Sequence, residues 1–353
     1  MSEPSLEDPV ALPQPPASTP PRSGRSAGAA PDVLDASRAW VDRALVAVGG
    51  AAACVVGIVL VGVALSVLQL SLPSIRELGV GFVLGRQWDP VHGNLGALPF
   101  LYGTIVTSLV ALVLAVPVAI GVAVFLTDLG PLPLRRPVAA LVELLAAVPG
   151  VVYGLWAAIV LAPLLRTTIE PALETHAGFL PMFRGPKLGV GLLCASLVLA
   201  VMILPTIASM SREVLRAVPS ELREGGLALG ATRWDVVRRI VLPHAKSGIF
   251  GAILLGFGRA VGETMAVAMV IGSRAEITAS LFSPGYTMSS VIANEFAEAT
   301  STLHVAALAE IGLLLFAVTL AFNVAARILV ARVRGPETAL ARVVPTRKEP
   351  EVR

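Results

Sequence analysis

Two charged residues stand inside an apolar run of this sequence. The stretch GFGRAVGETMAV, residues 256–267, places Arg259 near the middle of the run 247–272 and Glu263 four residues later. In a continuous α-helix this spacing puts both side chains on one face, about 6 Å apart along the axis. An arginine at the centre of a bilayer costs about 2.5 to 3.5 kcal/mol even on the lower scales. Arg259 must therefore face protein or water.

Two hypotheses explain the pair. In the structural hypothesis, Arg259 and Glu263 satisfy each other in a helix bundle, and Gly258 and Gly262 let a neighbouring helix come close. In the functional hypothesis, the guanidinium belongs to a translocation path, where its planar donors suit an oxyanion such as phosphate. Glu263 would then position the guanidinium and offer an interaction that the substrate can replace.

The composition sets the environment of these residues. Of the 353 residues, 55% are hydrophobic and 14% are charged, which is more apolar than a soluble domain tolerates. Six apolar runs approach or exceed the roughly 20 residues that a spanning helix needs. They lie at about 42–70, 101–127, 137–165, 188–209, 247–272 and 304–331. We therefore expect an all-α integral membrane protein with six transmembrane helices.

Lysine and arginine are distributed unevenly between the two sides. If both termini are cytoplasmic, 20 of these residues lie inside and six lie outside, and basic residues near span ends are retained in the cytoplasm. We therefore predict that both termini are cytoplasmic. This topology, together with anionic lipid, accounts for the net charge of +3, so nucleic acid is not expected as a partner. The two cysteines, in apolar runs, are assigned no redox or metal role.

The most charged stretch of the chain lies between the fourth and fifth runs. Ser220 is predicted to be the N-cap of a short helix, with Glu221 in its first turn. Gly230 interrupts this helix, and a second helix from about Thr232 is predicted to continue until Pro243 breaks it. Its apolar residues at helical spacing are Trp234, Val236, Val237, Ile240 and Val241. The simpler interpretation is an amphipathic loop lying on the lipid surface.

The spacing in this segment resembles the EAA motif of ATP-binding-cassette (ABC) importer permeases, a Glu-Ala-Ala followed by Gly and then Ile-x-Leu-Pro. The matching residues are Glu224, Gly230, Ile240, Leu242 and Pro243, with Gly225 and Gly226 in place of the two alanines. The resemblance implies a coupling helix that docks in a groove of a separate ATPase subunit. Two mid-helix glycines cost about 1 kcal/mol each relative to alanine, so the helix would form mainly on docking or would allow close approach to a partner.

The chain lacks the glycine-rich Gly-Lys-Ser/Thr loop that cradles phosphates. We therefore expect a non-catalytic subunit that binds no cofactor, with ATP and Mg²⁺ bound by partner ATPase subunits.

A closer resemblance extends over about residues 70–331. GRAVGETMAV, together with the run at 98–126 and ELLAAVPGVVYGLWA at 143–157, is similar to the phosphate-specific ABC importer permease family, PstC type. This family commonly has Ser where this chain has Gly150, and its intramembrane Arg and Glu map onto Arg259 and Glu263. The resemblance implies a type I importer permease fold in the bacterial inner membrane.

The implied partners are a second permease subunit, two ATP-binding subunits and an extracytoplasmic phosphate-binding protein, with phosphate as the substrate. The domain organisation expected is a disordered cytoplasmic tail (1–40), a first transmembrane helix with an external segment (41–100), the permease core (101–331) and a cytoplasmic C-terminal tail (332–353). The external segments would face the binding protein.

Weaker candidates and alternatives stay open. Thr104, Thr107 and Ser108 at the outer end of the second run could donate to a passing anion, although hydroxyls in membrane helices usually bond their own backbone. The chain could instead be the partner permease of the same system, or a sulfate or molybdate permease. An ion-coupled secondary transporter would predict inverted repeats, and a structural anchor would leave the cost of Arg259 unexplained.

Overall fold

The computed structural model describes residues 33–333, with side chains over residues 43–328. The chain divides into two units, Met1–Val61 and Gly62–Arg353. Within the first unit, the described part is helical and belongs to α1 (Val33–Leu78). The tails expected at 1–40 and 332–353 lie largely outside the described residues, and the described helix already begins at Val33.

Six helices of the described chain are long and apolar enough to span a membrane, as the sequence predicts. They are the region Arg43–Leu78 of α1, then α3 (Leu98–Leu129), α5 (Gly150–Ala177), α6 (Leu192–Arg216), α8 (Arg233–Gly262) and the region Thr302–Ile328 of α11. Shorter elements join them: α2 (Val80–Leu84), strands β1 (Trp88–Asp89) and β2 (Asn94–Leu95), α4 (Leu132–Ala147), α7 (Ser220–Ala228), α9 (Met265–Ala268) and α10 (Met288–Glu295). Helix α11 extends over Thr302–Val333. The two strands pair antiparallel, Trp88 opposite Leu95.

The third predicted span is wrong, because it is not one continuous helix. The run 137–165 contains two helices, because α4 ends at Ala147 and α5 begins at Gly150. Val148 and Pro149 between them have extended backbones, with ψ of 128° and 143°. A proline disfavours helical geometry in the residue before it and is well suited to precede a first helical turn. Tyr153 Oη donates to the Leu145 carbonyl at 2.7 Å and ties the two helices together.

Four wide turns lie within the spanning helices of the described residues. These π-turns cover Phe125–Leu129, Ala157–Leu161, Leu165–Ile169 and Val237–Val241, and each ends two residues before a proline. Proline lacks an N–H and its ring clashes with the carbonyl four residues back, so an extra residue in the preceding turn relieves the conflict. The predicted helix end at Pro243 is therefore wrong, since α8 continues through it to Gly262.

Helix α6 provides the centre of the second unit. Its side chains dominate the largest buried cluster, which also takes in residues of α3, α5 and the chain from Ala260 to Phe282. Alanines of α3 such as Ala111, Ala115 and Ala119 are almost fully buried there, and such small side chains let helix backbones approach closely. A second cluster, around Phe82, Phe100 and Met288, includes the β-hairpin.

Candidate translocation site and coupling segment

A helix break separates the two charged residues that the sequence places together. Helix α8 ends at Gly262, and Glu263 has an extended backbone with φ −70° and ψ 127°. The predicted stacking of Arg259 and Glu263 on one helical face is therefore wrong. Among the ion pairs of the described residues, within 4.0 Å, none joins these two side chains. The hypothesis that the two residues satisfy each other is not supported by this geometry.

Arg259 is exposed on the surface of the chain. Its Nη1 donates to Thr206 Oγ1 at 3.0 Å, the single hydrogen bond of this guanidinium to the described residues. Thr206 stands near the midpoint of α6 (Leu192–Arg216), which places the guanidinium at mid-depth of a spanning helix. A guanidinium carries five N–H donors, so most of them are free to meet whatever faces this side of the chain.

Glu263 is held by a different set of groups. Its Oε1 accepts from the Ala266 amide at 3.4 Å, and its carbonyl accepts from Ser289 Oγ at 2.8 Å. The carboxylate also adjoins the first residue of α5, since a Cβ on Gly150 would lie 2.8 Å from Glu263 Oε1. A carboxylate at a helix N-terminus is stabilised by the partial positive charge there. Glu263 therefore joins the start of α5 to the broken end of α8.

This contact gives a physical reason for Gly150. The added Cβ would also lie 3.4 Å from Met202 Cε, so Gly150 is closely surrounded. A larger side chain at this position would require the flexible ends of Glu263 and Met202 to shift. In this chain the glycine leaves that space to the carboxylate itself.

The hydroxyl candidates on α3 do not lie on an open surface. Thr104 is 1% exposed, and its Oγ1 donates to the Phe100 carbonyl at 2.8 Å and accepts from the Met288 amide at 2.9 Å. Thr107 donates to the Gly103 carbonyl. Ser108 is 1% exposed, and its hydroxyl has no hydrogen-bond partner among the described residues. Thr104 therefore joins α10 to α3 through the Met288 amide, and a contact of Thr104, Thr107 or Ser108 with a passing anion stays a prediction.

The coupling segment forms the two predicted helices with a glycine elbow. Gly230 has φ of +83°, a left-handed conformation that glycine adopts without strain. Thr232 caps the second helix by accepting from the Asp235 amide at 3.1 Å. The first helix differs by one residue from its prediction, because it begins at Ser220 after Pro219, and no side chain caps it.

The motif residues divide into an outward and an inward group. Glu221, Glu224, Gly225, Gly230, Trp234 and Pro243 are exposed. Ile240 and Leu242 are half-buried, and Gly226 is buried. A Cβ on Gly226 would lie 2.7 Å from Ile240 Cδ1 and 3.0 Å from Val236 Cγ2, whereas a Cβ on Gly225 would meet nothing within 4 Å. Gly226 therefore allows Ile240 and Val236 to pack closely against α7, whereas no side chain of the described residues packs against Gly225.

Sequence reasoning missed Arg223, which fixes the coupling segment to the spanning helices. Arg223 Nε donates to Asp128 Oδ1 at 2.9 Å, at the end of α3. Its Nη1 and Nη2 donate to the carbonyls of Val218 and Leu215, both at 2.6 Å. The available signal was Asp128 itself, a lone acid at the end of the run predicted over 101–127.

The segments predicted to be external contain a second polar network. Trp88 Nε1 donates to Glu295 Oε2 at 2.9 Å, and the same oxygen lies 3.2 Å from His304 Nε2. Asn294 Nδ2 donates to Tyr286 Oη at 3.1 Å. Burial raises the pKa of the Tyr286 hydroxyl, which keeps it protonated. The contacts of Glu295 connect β1, α10 and α11.

Comparison with known proteins identifies the family. Residues 98–335 match the family described as binding-protein-dependent transport system inner membrane component. The chain belongs to this family. The match covers the helices from α3 onward, including the broken helix and the coupling segment, and it confirms the fold class expected from the sequence.

Individual relatives are similar over most of their length. The phosphate transport system permease protein PstC of Xylella fastidiosa is 46% identical over 81% of this chain and 90% of that protein. The protein of the same name from Mesorhizobium japonicum is 44% identical over 80% and 88%, and PstC 2 of Mycobacterium tuberculosis is 42% identical over 78% and 88%. Among solved structures, an inward-facing MetNI methionine ABC transporter is 21% identical, with a TM-score of 0.47 over 70% of this chain and 99% of that one.

Proposed function

We propose that this chain is a transmembrane permease subunit of an ATP-driven importer of inorganic phosphate, and that it forms half of the translocation pathway. The names of its relatives support the substrate. The observation on this chain that carries the proposal is the exposed guanidinium of Arg259 at mid-depth of the spanning helices. A positive side chain at that depth is tolerated only against protein, water or a counter-charge.

The geometry separates the roles of the two charged residues. Since Glu263 is occupied at the start of α5 and by the Ala266 amide, it does not neutralise Arg259 in this arrangement. The guanidinium keeps its charge and its fork of donors for an oxyanion that reaches this face. Glu263 stabilises the helix break that brings Arg259 to the end of α8. Arg259 is thus the substrate-pathway residue and Glu263 its supporting neighbour.

The coupling role rests on the segment from Ser220 to Pro243. Its exposed face presents Leu222, Leu227, Leu229 and Trp234 beside the acidic residues, an arrangement that suits docking into a groove of an ATPase subunit. Two such subunits would bind ATP and Mg²⁺, so this chain makes or breaks no covalent bond. Their closure would move α7 and, through Arg223, the cytoplasmic ends of α3 and α6.

The proposed transporter also defines the partners and the location of this chain. The chain pairs with a second permease subunit and receives phosphate from an extracytoplasmic binding protein on the side of the segments predicted to be external. It lies in the bacterial inner membrane with both termini cytoplasmic, in contact with lipid and without a nucleic-acid partner. The family assignment leaves the ion-coupled secondary transporter without support. Sulfate and molybdate are tetrahedral oxyanions like phosphate, so competition experiments must decide which anion is the substrate.

The experiment is uptake of labelled phosphate by the assembled transporter with Arg259→Gln. One hydrogen bond to a charged group contributes roughly 1.5 to 3 kcal/mol, so uptake is expected to fall by about tenfold or more. Arg259→Lys keeps the charge without the fork and should retain part of the activity. Arg327→Gln, which removes an exposed arginine at the far end of α11, is the matched control.

Assembly of the complex is measured separately for each variant. Lost uptake with intact assembly supports the pathway role of Arg259, and full uptake by Arg259→Gln contradicts it. Excess unlabelled sulfate should leave phosphate uptake unchanged, and strong competition by sulfate would replace phosphate with a broader oxyanion class.

A further inference from the structure

An arginine-lined groove lies between α4 and α6, apart from the Arg259 site. It has a volume of about 490 Å³, and its walls carry Arg135 and Arg136 from α4 and Arg212 and Arg216 from α6. Arg135 Nη2 donates to the carbonyl of Asp128 at 3.2 Å, the residue whose carboxylate binds the coupling segment. The groove therefore lies at the same end of the helices as the coupling segment.

The positive charges of this groove are incompletely balanced. Glu143 is the acidic residue in its walls, and its Oε1 lies 3.8 Å from Arg212 Nη1, while the glutamate side chain is 74% exposed. Arg216 Nη1 lies 4.0 Å from Glu213 Oε1, a carboxylate that is 70% exposed. Such long, exposed pairs contribute little. Four guanidinium groups thus share one loosely held carboxylate inside the groove.

Arg212 adds an unsatisfied donor. Its Nε is buried and has no hydrogen-bond acceptor within the described part of the chain, although the side chain as a whole is 21% exposed. A buried donor without an acceptor costs about 1 to 3 kcal/mol, and more for a charged group. By contrast, Arg135 Nε is satisfied by the Gly130 carbonyl at 2.7 Å. The groove therefore offers both excess charge and an open donor.

We propose that this groove binds a phosphate group at the cytoplasmic end of the chain. Planar guanidinium forks recognise phosphate oxygens bidentately, and two pairs of arginines on facing helices can surround one tetrahedral group. The apolar wall formed by Leu126, Leu132, Ala139 and Ala140 suits the adjoining part of a larger ligand. The phosphate group belongs either to the headgroup of an anionic phospholipid or to free inorganic phosphate.

An occupant would connect α4 and α6. These helices now face each other across the groove through the 3.8 Å contact of Glu143 with Arg212. A bound phosphate group would replace that contact with several charge-assisted hydrogen bonds. The inference does not rest on the proposed substrate, because it concerns binding at a site separate from Arg259.

The test uses the assembled transporter and two probes. Retention of phosphatidylglycerol by the purified complex is measured by native mass spectrometry after incorporation into nanodiscs with phosphatidylcholine. Binding of inorganic phosphate is measured by the thermal unfolding midpoint against sodium chloride of equal ionic strength. The variant is Arg136→Gln with Arg216→Gln, since both side chains are exposed and their loss spares folding. Lys246→Gln with Arg327→Gln, also exposed and outside the coupling segment, removes the same charge elsewhere.

About tenfold weaker binding of one probe is expected for the groove variant, which corresponds to about 1.4 kcal/mol. The control variant should bind as the original chain does. Loss confined to phosphatidylglycerol identifies the lipid as the source, and loss confined to inorganic phosphate identifies the free anion. Unchanged binding of both probes overturns the proposal. Dissociation of a subunit from the groove variant also overturns it, because a protein partner would then cover the arginines.

Discussion

Two arginines of this chain have opposite surroundings. Arg223 at the coupling segment is half-buried and uses three donors, one on the Asp128 carboxylate and two on backbone carbonyls. Arg259 at mid-depth is exposed and makes one hydrogen bond, to the Thr206 hydroxyl, within the described residues. The first guanidinium is committed to the fold, while the second keeps its donors. In the proposed function, these free donors are what allow Arg259 to bind a translocating anion, whereas the donors of Arg223 hold helices together.

The comparison extends to the carboxylates. Asp128 accepts from Arg223 and from Thr127 Oγ1, so it completes a local network at the end of α3. Glu263 has a sequence position that suggests pairing with Arg259, yet it lies against the start of α5. The difference arises because α8 ends at Gly262. A break in the helix has separated a pair that a continuous helix would have joined.

Substitution of Arg223, whose three guanidinium nitrogens all donate within the fold, should have the largest effect on stability. Arg223→Ala leaves Asp128 without its ion-pair partner and removes donors from two carbonyls, so the free energy of unfolding should fall by about 3 kcal/mol. The unfolding midpoint of the assembled complex, followed by intrinsic fluorescence, measures this change. Arg223→Lys keeps the charge but loses the planar set of donors. Its unfolding midpoint should lie between those of the original chain and Arg223→Ala. An unchanged midpoint for Arg223→Ala would contradict the structural role.

The two glycines of the coupling helix give a matched pair of intermediate effects. Gly226→Val should destabilise the segment by about 2 kcal/mol, because the added groups overlap Ile240 and Val236. Gly225→Ala should stabilise α7 by up to about 1 kcal/mol, since nothing lies within 4 Å of the added methyl. Hydrogen exchange of the α7 amides measures both. Equal responses at the two positions would refute the assignment of an inward and an outward glycine.

The smallest effect is expected at Thr206. Thr206→Val removes the hydrogen bond to Arg259 and nearly conserves volume, and a single hydrogen bond contributes about 1 kcal/mol or less at an exposed group. Phosphate uptake should therefore change by less than about fivefold, far less than with Arg259→Gln. If Thr206→Val abolished uptake as fully as Arg259→Gln does, positioning by Thr206 would matter more than the charge itself.

The sequence predicted what depends on composition and local pattern. The number of spanning helices, the glycine elbow at Gly230 and the start of the second coupling helix after Thr232 follow from hydropathy, turn residues and capping. The two prolines show where such reasoning fails, since Pro149 follows a helix end and Pro243 lies inside a helix. A wide turn precedes Pro243, whereas Val148 before Pro149 is extended. Local sequence does not distinguish these two outcomes, because both depend on how the surrounding helices pack.

The sequence predicted which residues form the candidate site but not how they are arranged. Arg259 and Glu263 stood out because charge is rare in apolar runs, whereas their separation depends on contacts with Gly150 and Ser289. These partners lie 113 and 26 residues away from Glu263 in the chain. Helix periodicity carries no information on such distant contacts. The inward role of Gly226 likewise depends on the fold of the following helix.

The most direct test of the central claim is the water access of position 259 in the assembled transporter. Cysteine is introduced there as Arg259→Cys in a background of Cys54→Ala and Cys194→Ala, and its reaction with a membrane-impermeant cationic thiol reagent is followed. The proposed pathway predicts labelling of this cysteine in the folded complex. A cysteine that reacts only after denaturation would contradict it, because position 259 would then face protein or lipid and not an aqueous path.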